Sequence, residues 1–99
     1  MKNKINSKKI IKKIEERREE IKAKGVKKIA LFGSFSKNSA NKKSDIDILV
    51  KFNKKTFDNY IGLKILLEKI FRKKIDLVIE ENLRPEFNYV IKEAKYARI

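Results

Sequence analysis

Asp45-Ile46-Asp47-Ile48-Leu49-Val50-Lys51-Phe52 is the stretch on which the fold turns. Ile46, Ile48, Val50 and Phe52 alternate with Asp45, Asp47, Leu49 and Lys51, the period of two expected of a strand with one face in a core. Two aspartates two residues apart on a strand project from the same face, with Cα atoms roughly 6–7 Å apart. Aspartate is a poor strand former, and like charges on one face repel. A cation held between them would relieve that repulsion, and magnesium takes carboxylate together with phosphate oxygens. The plainer reading is a solvent-facing polar edge.

Working outward, Lys27 to Phe32 forms a short, nearly continuous apolar strand, followed at once by Gly33-Ser34. Glycine there permits close approach and unusual dihedrals, and exposed amides at a strand end make an anion site, although such a pair is often no more than a turn. Gly33 to Ser44 reads as a polar loop. On the other side, Asn53-Lys54-Lys55 is a turn, and Thr56 to Lys73 is helical. Phe57, Tyr60, Ile61, Leu63, Leu67, Ile70 and Phe71 give that helix a broad apolar face. Ile75 to Ile79 is a further strand in which Asp76 breaks an apolar run. An ionised carboxylate in such a run is costly unless it is paired or metal-bound. Beside the Asp45–Asp47 strand, Asp76 would complete a cluster of three carboxylates; an ion pair with a lysine is the alternative.

The flanks are helical. Ser7 can cap a helix running to about Lys24, with Ile10, Ile11, Ile14 and Ile21 at helical spacing and Gly25 as terminator. Pro85 suits the first turn of a last helix in which Phe87, Val90, Ile91 and Ala94 share one side. The order helix, strand, strand, helix, strand, helix predicts an α/β (α+β) fold: a small mixed sheet with helices packed on it, one domain over residues 1–99.

Composition narrows the chemistry. The chain has no cysteine and no histidine, so acid–base and metal work falls to Asp and Glu. No apolar run approaches the roughly 20 residues of a membrane-spanning helix, and no secretory signal is present, so the expected location is the cytoplasm. The net charge of +14 is concentrated toward the N-terminus. Lys8, Lys9, Lys12 and Lys13 read as a solvated face or as a nucleic-acid surface, and an A·T-rich genome would enrich lysine equally. Phe32, Phe52, Phe57, Phe71 and Phe87 fall at core-period positions rather than on a base-stacking platform.

Gly33-Ser34-Phe35-Ser36, followed at fixed spacing by Ser44-Asp45-Ile46-Asp47-Ile48-Leu49-Val50, resembles the signature of the DNA polymerase beta-type nucleotidyltransferases. It is most similar to their minimal nucleotidyltransferase branch. Ile75-Asp76-Leu77-Val78 resembles the segment bearing the third carboxylate, and Leu83-Arg84-Pro85 with Ile91-Lys92-Glu93-Ala94 resembles that branch's terminal helix. The resemblance implies a polymerase beta-like palm. It gives Gly33 and Ser34 a triphosphate-cradling role, with Lys37 adding positive charge. Asp45, Asp47 and Asp76 become ligands for one or two magnesium ions, and Asp76 also activates the acceptor hydroxyl. Where the branch has Arg-Gly, this chain has Lys37-Asn38, which keeps a charge but loses a bidentate fork. Members of the branch are antitoxins paired with a helical HEPN-domain toxin, and the implied reaction moves AMP from ATP to a tyrosine of that toxin. RNA, DNA or a small molecule as acceptor, and a purely binding antitoxin, are the alternatives.

Overall fold

The computed structural model describes residues 6–33, Phe35 and residues 45–99. Helix α1 spans Ser7–Glu16, and its cap is Asn6 rather than Ser7: the Asn6 side chain accepts the Lys9 amide at 3.0 Å. Ser7 is instead a buried helical residue whose Oγ accepts from Lys95 Nζ at 3.2 Å. The helix does not run unbroken to Lys24. It stops at Arg17, with φ −108° and ψ 21°, and restarts as α2, Arg18–Lys22. Both arginines stay on the surface, where Arg17 bonds Glu20 and Arg18 donates to the Glu15 carbonyl. Ile10, Ile14 and Ile21 nevertheless all reach the core.

Gly25 then turns the chain with φ +76°, and its carbonyl accepts from the Asn53 amide at 2.7 Å. Strand β1 is Val26–Phe32, β2 is Ile46–Phe52 and β3 is Ile75–Ile79. A fourth strand, β4, covers only Lys95–Tyr96 and was absent from the expected order. The sheet runs β3-β2-β1-β4, with β2 and β3 parallel and the other pairs antiparallel. Parallel neighbours require a crossover, which helix α3, Phe57–Phe71, supplies. Thr56 caps it by accepting the Asn59 amide at 3.1 Å.

Register assigns each side chain a face. Leu31, Ile48 and Leu77 align, as do Ile46 with Ile75 and Ile29 with Val50. These residues form one core with Ile10, Ile14, Ile21, Leu63, Leu67 and Phe71 from the three helices. The opposite parity puts Phe32, Asp47 and Asp76 in one row on the other face, with Ala30, Leu49 and Val78 in the next. Ala30 and Leu49 are buried there all the same. Tyr96 pairs with Ala30, and its hydroxyl donates to Glu80, just past β3, at 3.1 Å. The phenol therefore spans this face above the two apolar residues. Burial pushes the Tyr96 hydroxyl up to about 12, helped by its bond to Glu80 and by that carboxylate's charge.

At the β3 edge the backbone is tied down by side chains of α3. Glu68 accepts the Ile75 amide at 3.2 Å, and Tyr60 donates to the Leu77 carbonyl at 3.2 Å. The last segment is a single 3-10 turn, Pro85–Phe87, leading into α4, Asn88–Glu93. Phe87 does not join the core, and neither does Phe57: both are exposed.

Arg72 ends α3 with φ 53°, a left-handed conformation in which a Cβ crowds the backbone. Arg72→Gly should stabilise the domain by about 1 kcal/mol. In thermal melts this corresponds to roughly 4–8 °C.

Candidate active site

Asp45 lies immediately before β2 and is exposed, Asp47 lies within β2 and is half-buried, and Asp76 lies on β3. The two strands are neighbours, and Asp47 and Asp76 are direct partners across them. Asp76 is exposed, so the desolvation argued from its apolar sequence context does not act on it. Ile75 and Leu77 take the apolar side of the strand and leave Asp76 on the outer face. The half-buried carboxylate is Asp47.

Partial burial raises the Asp47 carboxyl from 3.8 to about 6; the charge of Asp76, then that of Asp45, then a hydrogen bond shared with Asp76 push it the same way. When protonated, Asp47 donates to the Asp76 carboxylate. Every one of these influences disfavours an ionised Asp47, and a cation beside it would offset them.

Gly33 follows β1 with φ +76°. A Cβ placed there would run into the Asp47 carboxylate. The glycine thus serves two ends: it permits the left-handed turn, and it lets the chain close on Asp47 without a side chain between them. Ser34 and Lys37, expected to meet the triphosphate, and Asn38 lie outside the described residues. Phe35, unassigned by sequence reasoning beyond its place in the motif, is 4% exposed and joins the core. Lys73 Nζ lies 5.6 Å from its ring centroid. An apolar residue two positions after the glycine was the available signal.

The donors are all carboxylate oxygens, a set that suits magnesium. The carboxylates do not by themselves enclose a cation: among the described residues no group of three acidic side chains forms a ready metal cage. The Asp47–Asp76 pair with Asp45 beside it fits an ion whose remaining ligands are water and substrate oxygens, the usual arrangement for magnesium at a nucleotide. A separate groove of about 480 Å³ lies between α1 and β4, lined by Ser7, Lys8, Ile11, Lys12, Glu15, Lys95 and Tyr96. It contains none of the three aspartates and is the less suitable place for metal-assisted chemistry.

The Nucleotidyltransferase domain family matches residues 7–99. The chain belongs to this family. A solved structure provisionally described as a minimal nucleotidyltransferase superposes with a TM-score of 0.71 at 27% identity, over 94% of this chain and 97% of that one. A crystal structure of a toxin–antitoxin with AMP-PNP contains a chain with a TM-score of 0.66 at 26% identity, over 93% of this chain and 72% of that one. Among curated proteins, a Methanocaldococcus jannaschii protein to which protein adenylyltransferase activity is provisionally ascribed is 43% identical over 61 residues, 59% of this chain and 61% of its own length. The protein adenylyltransferase MntA of Thermococcus cleftensis is 36% identical over 61 residues, 61% of this chain and 62% of its own. The match thus spans about three-fifths of the length of these curated relatives. The expected mixed sheet with packed helices is the fold of this nucleotidyltransferase domain. Among the described residues no helix is long and apolar enough to cross a membrane.

Proposed function

We propose that this nucleotidyltransferase domain is a magnesium-dependent protein adenylyltransferase, the antitoxin of a HEPN toxin pair, which moves AMP from ATP to a tyrosine of its partner. The observation that carries the reading is the cross-strand pairing of Asp47 with Asp76, with Gly33 closing on Asp47. The adenylyltransferase relatives and the AMP-PNP-bound neighbour support the choice of AMP and of a protein acceptor. A cytoplasmic setting, where ATP is abundant, goes with it.

Each side chain then has a task. Asp45, Asp47 and Asp76 would hold the cation, and Asp76 would also act on the acceptor. Bound magnesium would neutralise triphosphate charge and lower the pKa of the acceptor hydroxyl. The tyrosine oxygen attacks the α-phosphorus while the Asp76 carboxylate takes up its proton. The bond from that phosphorus to the bridging oxygen breaks, and pyrophosphate leaves. Gly33 and Ser34, with Lys37, are assigned the binding of the departing phosphates.

Incubation with magnesium and ATP labelled at either the α or the γ phosphate tests this directly. Label from the α position should appear on a tyrosine of a HEPN protein encoded beside this chain, with pyrophosphate released. Transfer from the γ position would identify a kinase and overturn the reading. Label on added RNA would redirect it to a nucleic-acid acceptor, for which the exposed Lys8, Lys9, Lys12 and Lys13 of α1 are the candidate contact surface. No transfer to the true partner, despite tight binding, would leave a purely binding antitoxin.

A further inference from the structure

Helix α3 carries a second apolar stripe besides the one it buries. Leu63, Leu67 and Phe71 face the sheet and are buried in the core. At 100° per residue, Phe57, Ile61 and Ile65 fall on a second line, roughly 120° around the helix from the first. Phe57 is 76% exposed and Ile65 60%, with Ile61 partly covered between them. A second apolar stripe has surface to bury against another layer, and among the described residues it is left largely exposed.

The border of the stripe is basic. Lys64, Lys69 and Arg72 flank it along the helix. Lys24 reaches it from the α2–β1 turn, its stem lying over Gly62 so that Nζ would be 3.5 Å from a Cβ placed there. The acidic groups nearby are Asp58 and Glu68, and Glu68 is already engaged by the Ile75 amide.

We propose that Phe57–Ile61–Ile65 is a docking stripe for a helix of another protein, one whose own apolar stripe is bordered by Asp and Glu. Charge selects this occupant. A second copy of the chain would set Lys64, Lys69 and Arg72 against their own counterparts, each copy carrying +14. An acidic border meets the same groups favourably. The stripe lies on the helical layer, and Asp47 and Asp76 occupy the opposite face of the sheet. A partner held at the stripe therefore leaves the carboxylates open, and docking is separable from chemistry. The inference stands on α3 alone and does not depend on the reaction proposed above.

The test uses the full chain, without nucleotide, and a synthetic amphipathic peptide of about 20 residues, long enough to populate a helix. One version carries leucines at helical spacing bordered by Glu, and the other is bordered by Lys. The Glu-bordered peptide should bind at least about tenfold more tightly, with affinity falling as salt rises. Phe57→Ser/Ile65→Ser should weaken binding about tenfold or more with an unchanged circular dichroism spectrum. Lys64→Glu/Lys69→Glu, which leaves the apolar residues in place, should shift preference toward the Lys-bordered peptide. Equal binding of the two peptides would overturn the proposal, as would absence of binding. So would self-association, or attachment to phosphatidylserine vesicles, that the Phe57→Ser/Ile65→Ser variant abolishes.

Discussion

Asp47→Asn is expected to lower nucleotidyl transfer on the order of 10³-fold, the scale of removing a group that stabilises reacting charge, while making the domain more stable. The two effects share one origin. Asp47 titrates at about 6 because it is partly buried beside Asp76 and Asp45. Its folded value lies above its ordinary value of 3.8, so its favourable contribution is complete below 3.8 and is lost as pH rises through about 6. At pH near neutrality the ionised group opposes folding, and the amide removes that opposition. Solvent screens a half-exposed group, so the gain is about 1 kcal/mol, or roughly 4–8 °C in the melting midpoint. The gain should shrink toward zero in melts at acidic pH. Magnesium should stabilise the native protein at neutral pH and leave the variant nearly unaffected. A variant that keeps transferring AMP at the native rate would remove Asp47 from the reaction.

Gly33→Ala is the second large effect. Its Cβ has to occupy a left-handed φ, which costs roughly 1–2 kcal/mol, and it runs into the Asp47 carboxylate. Asp47 must turn away, so magnesium-dependent ATP binding by calorimetry and AMP transfer should both fall well beyond what the loss of stability explains. Gly25→Ala provides the control. Gly25 has the same φ of +76° and a Cβ that would also be crowded, but its neighbours there are Asn59 and Lys54, at the other end of β1. It should melt earlier and, at temperatures where it is folded, transfer AMP normally. Equal losses of activity in the two variants would make Gly33 a fold residue only.

Local pattern carried much of this structure. The alternation of Ile46 to Phe52 and the apolar run of Ile75–Ile79 mark β2 and β3 within a residue, because a half-buried strand writes its period into the chain. Thr56 announces α3 by the same kind of short-range chemistry. What failed was nonlocal. Two residues, Lys95 and Tyr96, are too few for any period, and their strand exists because β1 offers an edge. The apolar residues named for α3 do share one broad face, but Phe57 at its rim is exposed, and Ile65, outside that face, is exposed as well. At the site, the separation of Asp45 and Asp47 could be read from sequence, whereas the pairing of Asp47 with Asp76 required the parallel register. The contact of Gly33 with Asp47 needed backbone coordinates. The phosphate-facing roles expected of Ser34 and Lys37 belong to residues outside the described part of the chain.

Strand β3 lies at the rim of the sheet, and four of its five residues, Ile75, Leu77, Val78 and Ile79, are aliphatic, three of them β-branched. A short strand of that composition on a rim is the kind of segment that recruits its like into aggregates. Asp76 interrupts it with an exposed charge, while Glu68 and Tyr60 occupy backbone groups that another strand could have used. The residue proposed for proton transfer is thus also placed to oppose pairing of this strand with others. Selection acting on either task would retain it, and an Asp76→Val variant that fails to accumulate in cells would say nothing about turnover. Its insoluble fraction would be as informative as its rate.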